Sequence, residues 1–401
     1  MLELEEAQRR IRTLIEPLGV ETVPLSRAWA RISAENVPAP ISLPVFHSSA
    51  MDGYAVRASD LAGAALGKPV ALSLSGEVPA GEVFTGVIEP GQCVRVCTGS
   101  PVPAGADAVV MEEETRFEPG QPGRVWFSSV PHLGEFIRRR GEDCAAGVVL
   151  VKAGQRLTSS RICLLGALGL GEVRVGRQPV VGLLATGNEL QEPGTRLAPG
   201  RVYECNRTAL AALTARANAL PRFFPIVPDD PVATQQALAH AFAQCDVVLT
   251  SGGVSVGKWD LVKSAFEQLG GDLQFWRVAI KPGKPFVLGR LGTKLLFGLP
   301  GNPVSAMVTC LLLVCPALLA MQGVWEPALE TRPGILAEAL ANPGNRRHFM
   351  RVTMDSNSNV RSAGIQASHI LSPLAVSDGL VDVPPGAILK PGEGVRILVW
   401  D

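Results

Sequence analysis

Apolar runs of about five residues alternate with amphipathic segments from Pro179 to about Val324. Buried strands and surface helices produce these two patterns, and their alternation indicates a parallel sheet covered on both faces. Strands are predicted at Val180–Leu184, Phe223–Val227 and Val247–Thr250, and helices after Asn206, after Pro231 and after Asp260. Two further strands and a final helix complete a central, doubly wound parallel α/β domain.

Other patterns flank this domain. Apolar residues recur at helical spacing from Leu4 to Leu18, and Gly19 is a natural stop, so the chain is predicted to begin with an amphipathic helix. Residues 46–140 contain short strand-like runs separated by Gly and Pro turns, which indicates an inserted β-rich domain. A second helix, Ser159–Ala167, is expected to pack with the first one.

Residues 328–401 have strand-like stretches and no long helical pattern, so a small C-terminal β-barrel is predicted. A chain of 401 residues is too long for one hydrophobic core. The predicted fold class is therefore multidomain α/β and β. Four domains are expected: residues 1–45 together with 141–178, residues 46–140, residues 179–327, and residues 328–401.

Composition restricts the class of function. The 37 basic and 37 acidic side chains balance and form no basic stripe, which argues against nucleic-acid binding. Eight cysteines without a C-x-x-C pair indicate reduced thiols in the cytoplasm, and five scattered histidines give no zinc-ligand spacing. The acidic N-terminus is unlike a signal peptide. A cytoplasmic protein without a nucleic-acid partner is predicted.

One apolar run requires a choice between a membrane span and a core helix. Val304–Met321 is uncharged and about as long as a minimal transmembrane helix. It contains Pro316, follows a capped loop and lies between segments typical of soluble domains. We therefore predict a buried helix and no membrane partner.

Glycine-rich loops follow the predicted strands and indicate an anion-binding site. Ser251, Gly252 and Gly253 end a buried strand, and glycine lets backbone amides approach a phosphate closely. Ligands of open parallel sheets bind at the carboxyl ends of the strands. The loops expected to converge there are Thr186–Glu189, Pro228–Asp230, Ser251–Asp260, Lys281–Pro285 and Leu299–Pro303.

Charged side chains in these loops predict a metal-assisted site. Lys281 and Lys284 lie on a turn stiffened by two prolines, and Asn302 is expected to cap a helix beginning at Pro303. Four carboxylates accompany them: Glu189, Asp229, Asp230 and Asp260. Like charges about 4 Å apart repel by about 4 kcal/mol at intermediate dielectric, and Mg²⁺ on hard oxygen ligands removes this conflict. One of Asp229 and Asp230 is expected to cap the helix that begins at Pro231, which leaves the other for the ligand.

Two stretches carry a family resemblance, Ser49-Ala50-Met51-Asp52-Gly53-Tyr54-Ala55 and Thr98-Gly99-Ser100-Pro101-Val102-Pro103 with the following Ala104–Val110. They resemble the signature of the molybdopterin molybdenumtransferases, the family of MoeA and of the E-domain of gephyrin. Further motifs extend the resemblance over nearly the whole chain: Arg138-Arg139-Arg140-Gly141-Glu142-Asp143, Thr186–Leu190, Ser251–Asp260, Lys281–Pro285, Pro300–Ala306 and Gln366–His369.

The resemblance implies a homodimeric enzyme that inserts molybdenum from molybdate into adenylylated molybdopterin and releases AMP with the help of Mg²⁺. It also implies a central domain of the molybdopterin-binding type and an adenylyltransferase that supplies the substrate. The resemblance assigns catalytic roles to Asp52, Glu189 and Asp260. It assigns metal ligation to Glu189, Asp229, Asp230 and Asp260. The residues that the resemblance assigns to substrate binding are Thr98, Arg138, Asp143, Ser251, Gly252, Gly253, Lys281, Lys284, Pro300 and Ser368.

Three residues depart from the family pattern. His47 stands where Asp or Asn is usual, and Asn188 replaces the commoner Asp. Lys258 replaces an acidic residue near Asp260 and changes the charge beside a proposed metal ligand.

Two other functions compete with this one. A protein that only holds the pterin, or a scaffold of the gephyrin kind, would gain nothing from carboxylates beside an anion. A molybdopterin adenylyltransferase shares the Gly-Gly loop but would lack the β-rich domains and the stretch around Asp52. Preference for molybdate over tungstate is not decided by the sequence, nor is whether one site spans two subunits.

Overall fold

The computed structural model describes residues 1–253 and 261–400, and the chain forms two compact units. The main unit contains Met1–Glu35, Ala153–Thr158 and Glu172–Asp401, and the inserted unit contains Asn36–Lys152 and Ser159–Gly171. The predicted division into four domains is finer than this and stays a prediction. The multidomain α/β and β fold class is confirmed by the sheets described below.

Helices of the main unit are Leu4–Thr13, Asn206–Arg216, Pro231–Gln244, Leu261–Gln268, Pro303–Met321 and Ser372–Ala375, with a 3₁₀ turn at Leu25–Arg27. The longer strands are Val20–Pro24, Glu172–Gly176, Val180–Ala185, Leu220–Phe223, Val247–Ser251, Asp272–Trp276, Val287–Leu291, Lys294–Leu299, Thr331–Leu336, Arg347–Met354, Asn359–Ser362, Gly379–Val383 and Gly394–Val399. Two-residue strands are Leu190–Gln191, Val202–Tyr203, Ile280–Lys281, Leu340–Ala341 and Ile388–Leu389.

A six-stranded sheet forms the centre of the main unit. Its strand order is Leu220–Phe223, Val180–Ala185, Val247–Ser251, Lys294–Leu299, Val287–Leu291 and Asp272–Trp276. The first four strands are parallel, as predicted. Val287–Leu291 runs antiparallel to both of its neighbours, because a two-residue turn containing Gly292, with φ +61°, joins it to Lys294–Leu299.

The strand predicted at Phe223–Val227 has the wrong bounds. The observed strand is Leu220–Phe223, which pairs with Val180–Leu183 at the edge of the sheet. Pro225 has no N–H to donate to a ladder, so regular pairing stops before it. Pro221 lies within the strand, which edge strands tolerate.

The apolar run Pro303–Met321 is a core helix, as predicted. Its length and composition would allow it to cross a membrane, but 78 % of its most apolar 18-residue window is buried inside the protein. A π-helical turn, Cys310–Val314, ends two residues before Pro316. Pro316 has no N–H to donate to the Leu312 carbonyl, four residues earlier. The Gln8 side chain donates to that carbonyl instead, at 3.0 Å.

The N-terminal helix packs differently from the prediction. Leu4, Ala7 and Ile11 join the core formed by Pro303–Met321, whereas the Ser159–Ala167 helix belongs to the inserted unit. The returning chain instead pairs through Glu172–Gly176, antiparallel to Val20–Pro24. The periodicity located both helices, although the first one ends at Thr13 and not at Gly19, and it contained no information on their packing partners.

A closed barrel forms the C-terminal part of the main unit. Arg347–Met354 pairs with Asn359–Ser362 on one side and Gly379–Val383 on the other. Thr331–Leu336 and Gly394–Val399 complete the circle. Ile280–Lys281 adds a parallel pairing to Arg347 and His348, which connects the α/β sheet to the barrel.

The inserted unit is β-rich, as predicted. Its six-stranded sheet has the order Ala108–Met111, Gly53–Val56, Gln92–Val96, Val70–Val78, Arg124–Phe127 and Thr115–Arg116. Its shorter strands are Val37–Pro38, Ser48–Ser49, Ile137–Arg138 and Val149–Val151. It also contains 3₁₀ turns at Ala58–Leu61 and Glu112–Glu114 and the α-helix Ser159–Ala167. Gly53 is required where two strands meet, because a Cβ there would lie 2.1 Å from the Val110 carbonyl oxygen.

Candidate active site

A cavity of about 1170 Å³ opens at the carboxyl ends of three central strands of the main unit. Four of the five predicted loops line it: Thr186 and Glu189, Ser251–Gly253, Lys281–Pro285, and Pro300–Pro303. The barrel adds Arg346, Gln366, Ala367, Ser368 and His369. The Pro228–Asp230 loop does not line the cavity in the part of the chain that the structure describes.

The Ser251–Gly253 loop requires glycine for two reasons. Gly252 and Gly253 have φ values of +89° and +66°, which L side chains rarely adopt. A Cβ at Gly252 would lie 2.7 Å from the Thr186 carbonyl oxygen, and one at Gly253 would lie 2.9 Å from Thr186 Oγ1. The predicted anion contact of Gly252 needs correction, because its N–H donates to the Leu299 carbonyl at 3.2 Å.

Asn206 joins two of the cavity loops, a role that the sequence did not reveal. Its Nδ2 donates to Ser251 Oγ and, at 2.8 Å, to the Gly301 carbonyl. The residue is 8 % exposed. The sequence pattern indicated only that a helix begins near Asn206, and that helix is observed as Asn206–Arg216. The pair of hydrogen bonds holds the two glycine loops at a fixed separation.

The barrel side of the cavity is cationic. Lys281 and Lys284 lie on its wall with exposed side chains, and Arg346 lies beside them. Arg346 Nη1 donates to the Ile280 carbonyl at 2.8 Å, which fixes the arginine next to Lys281. The sequence interpretation missed Arg346, because it lies 65 residues after Lys281 and only the strand pairing brings the two together.

Ser368 completes this cationic end. Asn302 Nδ2 donates to Ser368 Oγ at 3.1 Å, which brings the Pro300–Pro303 loop to the barrel. The predicted capping by Asn302 is therefore only partly correct. Asn302 stands at the N-cap position of the helix, but its side chain makes no capping hydrogen bond.

His348 lies beneath the same end and adds no charge to it. It is 3 % exposed, and neither ring nitrogen has a hydrogen-bond partner among the described residues. Burial, followed by repulsion from Lys281, Arg351 and Arg346, lowers the pKa of His348 to about 4. The ring is therefore neutral at neutral pH.

Arg351 holds the barrel loop that presents Ser368. Its guanidinium, 1 % exposed, donates to the carbonyls of Ile370 at 2.7 Å, Ile365 at 2.6 Å and Ala367 at 3.1 Å. Burial lowers the pKa of Arg351. Gln366 accepts from the Arg351 N–H at 2.9 Å and reinforces the attachment. One buried cation thus ties down three backbone carbonyls on either side of Ser368.

Replacing Arg351 should loosen this loop and weaken oxyanion binding. Arg351→Met keeps most of the side-chain volume and removes every donor, and hydrogen bonds from charged groups contribute about 1.5–3 kcal/mol each. We expect molybdate, the predicted ligand, to bind about tenfold more weakly in calorimetric titrations, together with a lower melting temperature. Arg361→Met, at an exposed position of the same barrel, is the matched control. Equal molybdate affinity in both variants would contradict the loop assignment.

The four predicted metal ligands have different surroundings. Glu189 is exposed and lines the cavity. Asp230 caps the Pro231–Gln244 helix by accepting from the Ala233 N–H at 2.7 Å, and Asp229 accepts from the Asn188 N–H at 3.1 Å. Asp260 and Lys258 lie outside the described residues. Among those that are described, no group of three or more His, Cys, Asp or Glu side chains could hold a metal ion.

Four other predicted residues lie in the inserted unit: Asp52, Thr98, Arg138 and Asp143. Asp52 accepts from the Thr98 N–H at 2.6 Å, and this bond lowers the pKa of the Asp52 carboxyl. Arg138 lies in a two-stranded ladder with Ser48, and the Asp143 N–H donates to the Leu43 carbonyl at 3.1 Å. Their substrate roles stay predictions.

Comparisons with known proteins agree along the whole chain. Family profiles match at residues 2–169 ("MoeA N-terminal region (domain I and II)"), 182–320 ("Probable molybdopterin binding domain") and 333–400 ("MoeA C-terminal region (domain IV)"). The chain is 38 % identical to molybdopterin molybdenumtransferase 2 of Mycobacterium tuberculosis, with 100 % of both chains covered.

Further relatives extend this similarity. The chain is 38 % identical to the molybdopterin molybdenumtransferase of Haemophilus influenzae, over 94 % of this chain and 93 % of that one. A solved structure of the molybdopterin biosynthesis MoeA protein from Pyrococcus horikoshii superposes with a TM-score of 0.85 at 31 % identity. That comparison covers 100 % of this chain and 99 % of the other.

Proposed function

Because this chain belongs to the molybdopterin molybdenumtransferases, enzymes of molybdenum cofactor biosynthesis, we propose that its cavity inserts molybdenum from molybdate into adenylylated molybdopterin and releases AMP. One observation carries the proposal. A single cavity has three cations, Lys281, Lys284 and Arg346, on the barrel side and the Glu189 carboxylate among the loops of the sheet. An anion and a metal-bound phosphate therefore have separate places to bind.

The cationic end is proposed to bind the tetrahedral oxyanion. Lys281 and Lys284 supply flexible charges, and Arg346 supplies a planar fork of donors whose orientation is set by its bond to Ile280. The Ser368 hydroxyl accepts from Asn302 and keeps its own proton for an oxyanion oxygen. These groups bind molybdate in the ground state and exclude neutral ligands of similar size.

The Glu189 side is proposed to bind the adenylate phosphates together with Mg²⁺. Magnesium is commonly held by one or two carboxylates plus substrate phosphates, and the exposed Glu189 fits this requirement. Asp260 is the proposed further ligand, whereas Asp229, outside the cavity lining, accepts from the Asn188 N–H and Asp230 serves the helix cap. When bound, Mg²⁺ neutralises the phosphate charge that develops as the adenylate is cleaved.

The loops between these ends are proposed to orient the reacting groups. Asn206 fixes the Ser251 and Gly301 loops relative to each other, so Gly253 and Pro300 form a rigid floor. Cleavage of the phosphoanhydride adds water across the bond, and Glu189 and Asp260 are proposed to hold that water and accept its proton.

Divalent metal should be required for turnover. Excess EDTA is expected to stop AMP release from adenylylated molybdopterin in the presence of molybdate, and added Mg²⁺ to restore it, because phosphate beside carboxylates repels strongly without a cation. AMP is measured chromatographically, with heat-denatured protein as the blank. Full activity in excess EDTA would remove magnesium from the proposal. Intact substrate binding without any AMP would favour a pterin-holding or scaffold function instead.

The protein is proposed to act as a cytoplasmic homodimer that receives its substrate from a molybdopterin adenylyltransferase. Asp52, Thr98, Arg138 and Asp143, which belong to the inserted unit, stay proposed catalytic or substrate-binding residues. The bond from Thr98 keeps the Asp52 carboxyl ionised, which suits a group that positions a cation or a hydroxyl.

A further inference from the structure

One aromatic side chain stands on the wall of the cavity. The chain contains two tyrosines, and Tyr54 is fully buried in the inserted unit. Tyr203 is 44 % exposed and lines the cavity, where it is the one Phe, Tyr or Trp among the described lining residues. Neither the metal site nor the oxyanion site described above uses it.

The position of Tyr203 is fixed by its own loop. The hydroxyl donates to the Thr195 carbonyl at 2.6 Å, and Val202–Tyr203 pairs in parallel with Leu190–Gln191. The Val202 N–H donates to the Glu189 carbonyl at 2.8 Å, so the strand is attached directly to the residue of the proposed metal site. Since the hydroxyl is engaged inside the loop, the ring face is what the residue offers to a ligand.

Apolar neighbours extend this surface. Leu190 and Val202 lie on the same wall, and Val202 is 52 % exposed. The rest of the sheet-side wall consists mainly of glycines, polar side chains and charges, which suit phosphates rather than rings. An exposed aromatic ring with aliphatic neighbours, beside a phosphate site, is the arrangement that binds a flat heterocycle by stacking.

We propose that Tyr203, supported by Leu190 and Val202, is the stacking surface for one of the two flat heterocycles of the substrate. This inference rests on the proposed function, whose substrate carries a pterin at one end and an adenine at the other. Tyr203 therefore determines specificity for a ring, and it contributes to affinity rather than to the cleavage step.

Two soluble probes distinguish the two rings. Affinities for AMP and for 6-hydroxymethylpterin are measured by calorimetry for the wild type and for Tyr203→Ala. Stacking on an aromatic side chain contributes about 1–3 kcal/mol per base, so one of the probes should bind about 5- to 150-fold more weakly to Tyr203→Ala. A loss confined to AMP assigns adenine to Tyr203, and a loss confined to the pterin assigns the pterin.

Controls separate stacking from loop collapse. Tyr203→Phe keeps the ring and should retain most of the affinity, while Phe223→Ala removes an exposed aromatic that does not line the cavity and should change nothing. Ribose 5-phosphate has no heterocycle and should bind equally to the wild type and to Tyr203→Ala. An equal loss for ribose 5-phosphate, or unchanged affinity for both ring probes, would overturn the inference alone. A wild-type protein that binds neither ring probe would overturn it together with the proposed substrate.

Discussion

Gly252→Ala is expected to reduce molybdate-dependent AMP release by about a hundredfold or more. The residue has φ +89°, and the added Cβ would lie 2.7 Å from the Thr186 carbonyl oxygen. Relief of this clash has to move the Ser251–Gly253 loop away from Thr186 and stretch the Gly252 N–H bond to Leu299. A displacement of about 1 Å in a positioning loop costs roughly a hundredfold in rate.

Gly194→Ala provides a closely matched control. Gly194 has φ +87°, nearly the value of Gly252, but a Cβ there would meet nothing within 4 Å. Both variants carry the same left-handed backbone cost of about 1 kcal/mol, and only Gly252→Ala adds the collision. Single-turnover AMP release and melting temperature are measured for both. Similar activity in the two variants would show that the glycine loop does not position the reaction.

Lys281→Ala and Glu189→Gln are expected to have opposite effects. Lys281 is a cation of the oxyanion end, and charge-assisted contacts contribute about 1.5–3 kcal/mol, so its loss should weaken molybdate binding about ten- to a hundredfold. Turnover at saturation should stay within a fewfold of normal. Glu189→Gln removes a charge from the metal end with little change of shape, so binding should persist while saturated turnover falls at least about tenfold.

Because the Lys281 and Glu189 side chains are exposed, effects of their replacement on binding and turnover can be separated from effects on folding. Lys281 and Glu189 are both exposed on the cavity wall, so their replacement should hardly change folding. Lys390→Ala, at an exposed lysine of the barrel, controls for lost charge. Asp260→Asn is expected to behave as Glu189→Gln does. If Glu189→Gln loses binding and Lys281→Ala loses only turnover, the two roles are reversed.

Local signals in the sequence predicted the elements that local chemistry defines. Ser159–Ala167 has the predicted bounds, and Pro231–Gln244 begins at the proline that follows its capping aspartate. The prediction of a strand at Phe223–Val227 was wrong because it followed the apolar residues and gave too little weight to Pro225, which has no N–H to donate to the ladder. The hydrophobic pattern thus located the strand approximately, and the backbone hydrogen bonds determined where its regular pairing stops.

Non-local pairing explains the site residues that the sequence did not reveal. Arg346 reaches the cavity because Ile280–Lys281 pairs with Arg347 and His348, two segments far apart in the chain. Arg351 looks like an ordinary strand residue until its guanidinium is found on the carbonyls around Ser368. Asn206 resembled a helix start and not a link between loops. No periodicity or spacing rule records such contacts.

The coupling of AMP release to molybdenum insertion is tested most directly by measuring both products in one reaction. Purified protein, adenylylated molybdopterin and Mg²⁺ are mixed with and without molybdate, and AMP and pterin-bound molybdenum are determined at each time. One molybdenum atom should enter the pterin for each AMP released, and AMP should not accumulate without molybdate. AMP release at the same rate in the absence of molybdate, or bound molybdenum without AMP, would contradict the coupled reaction.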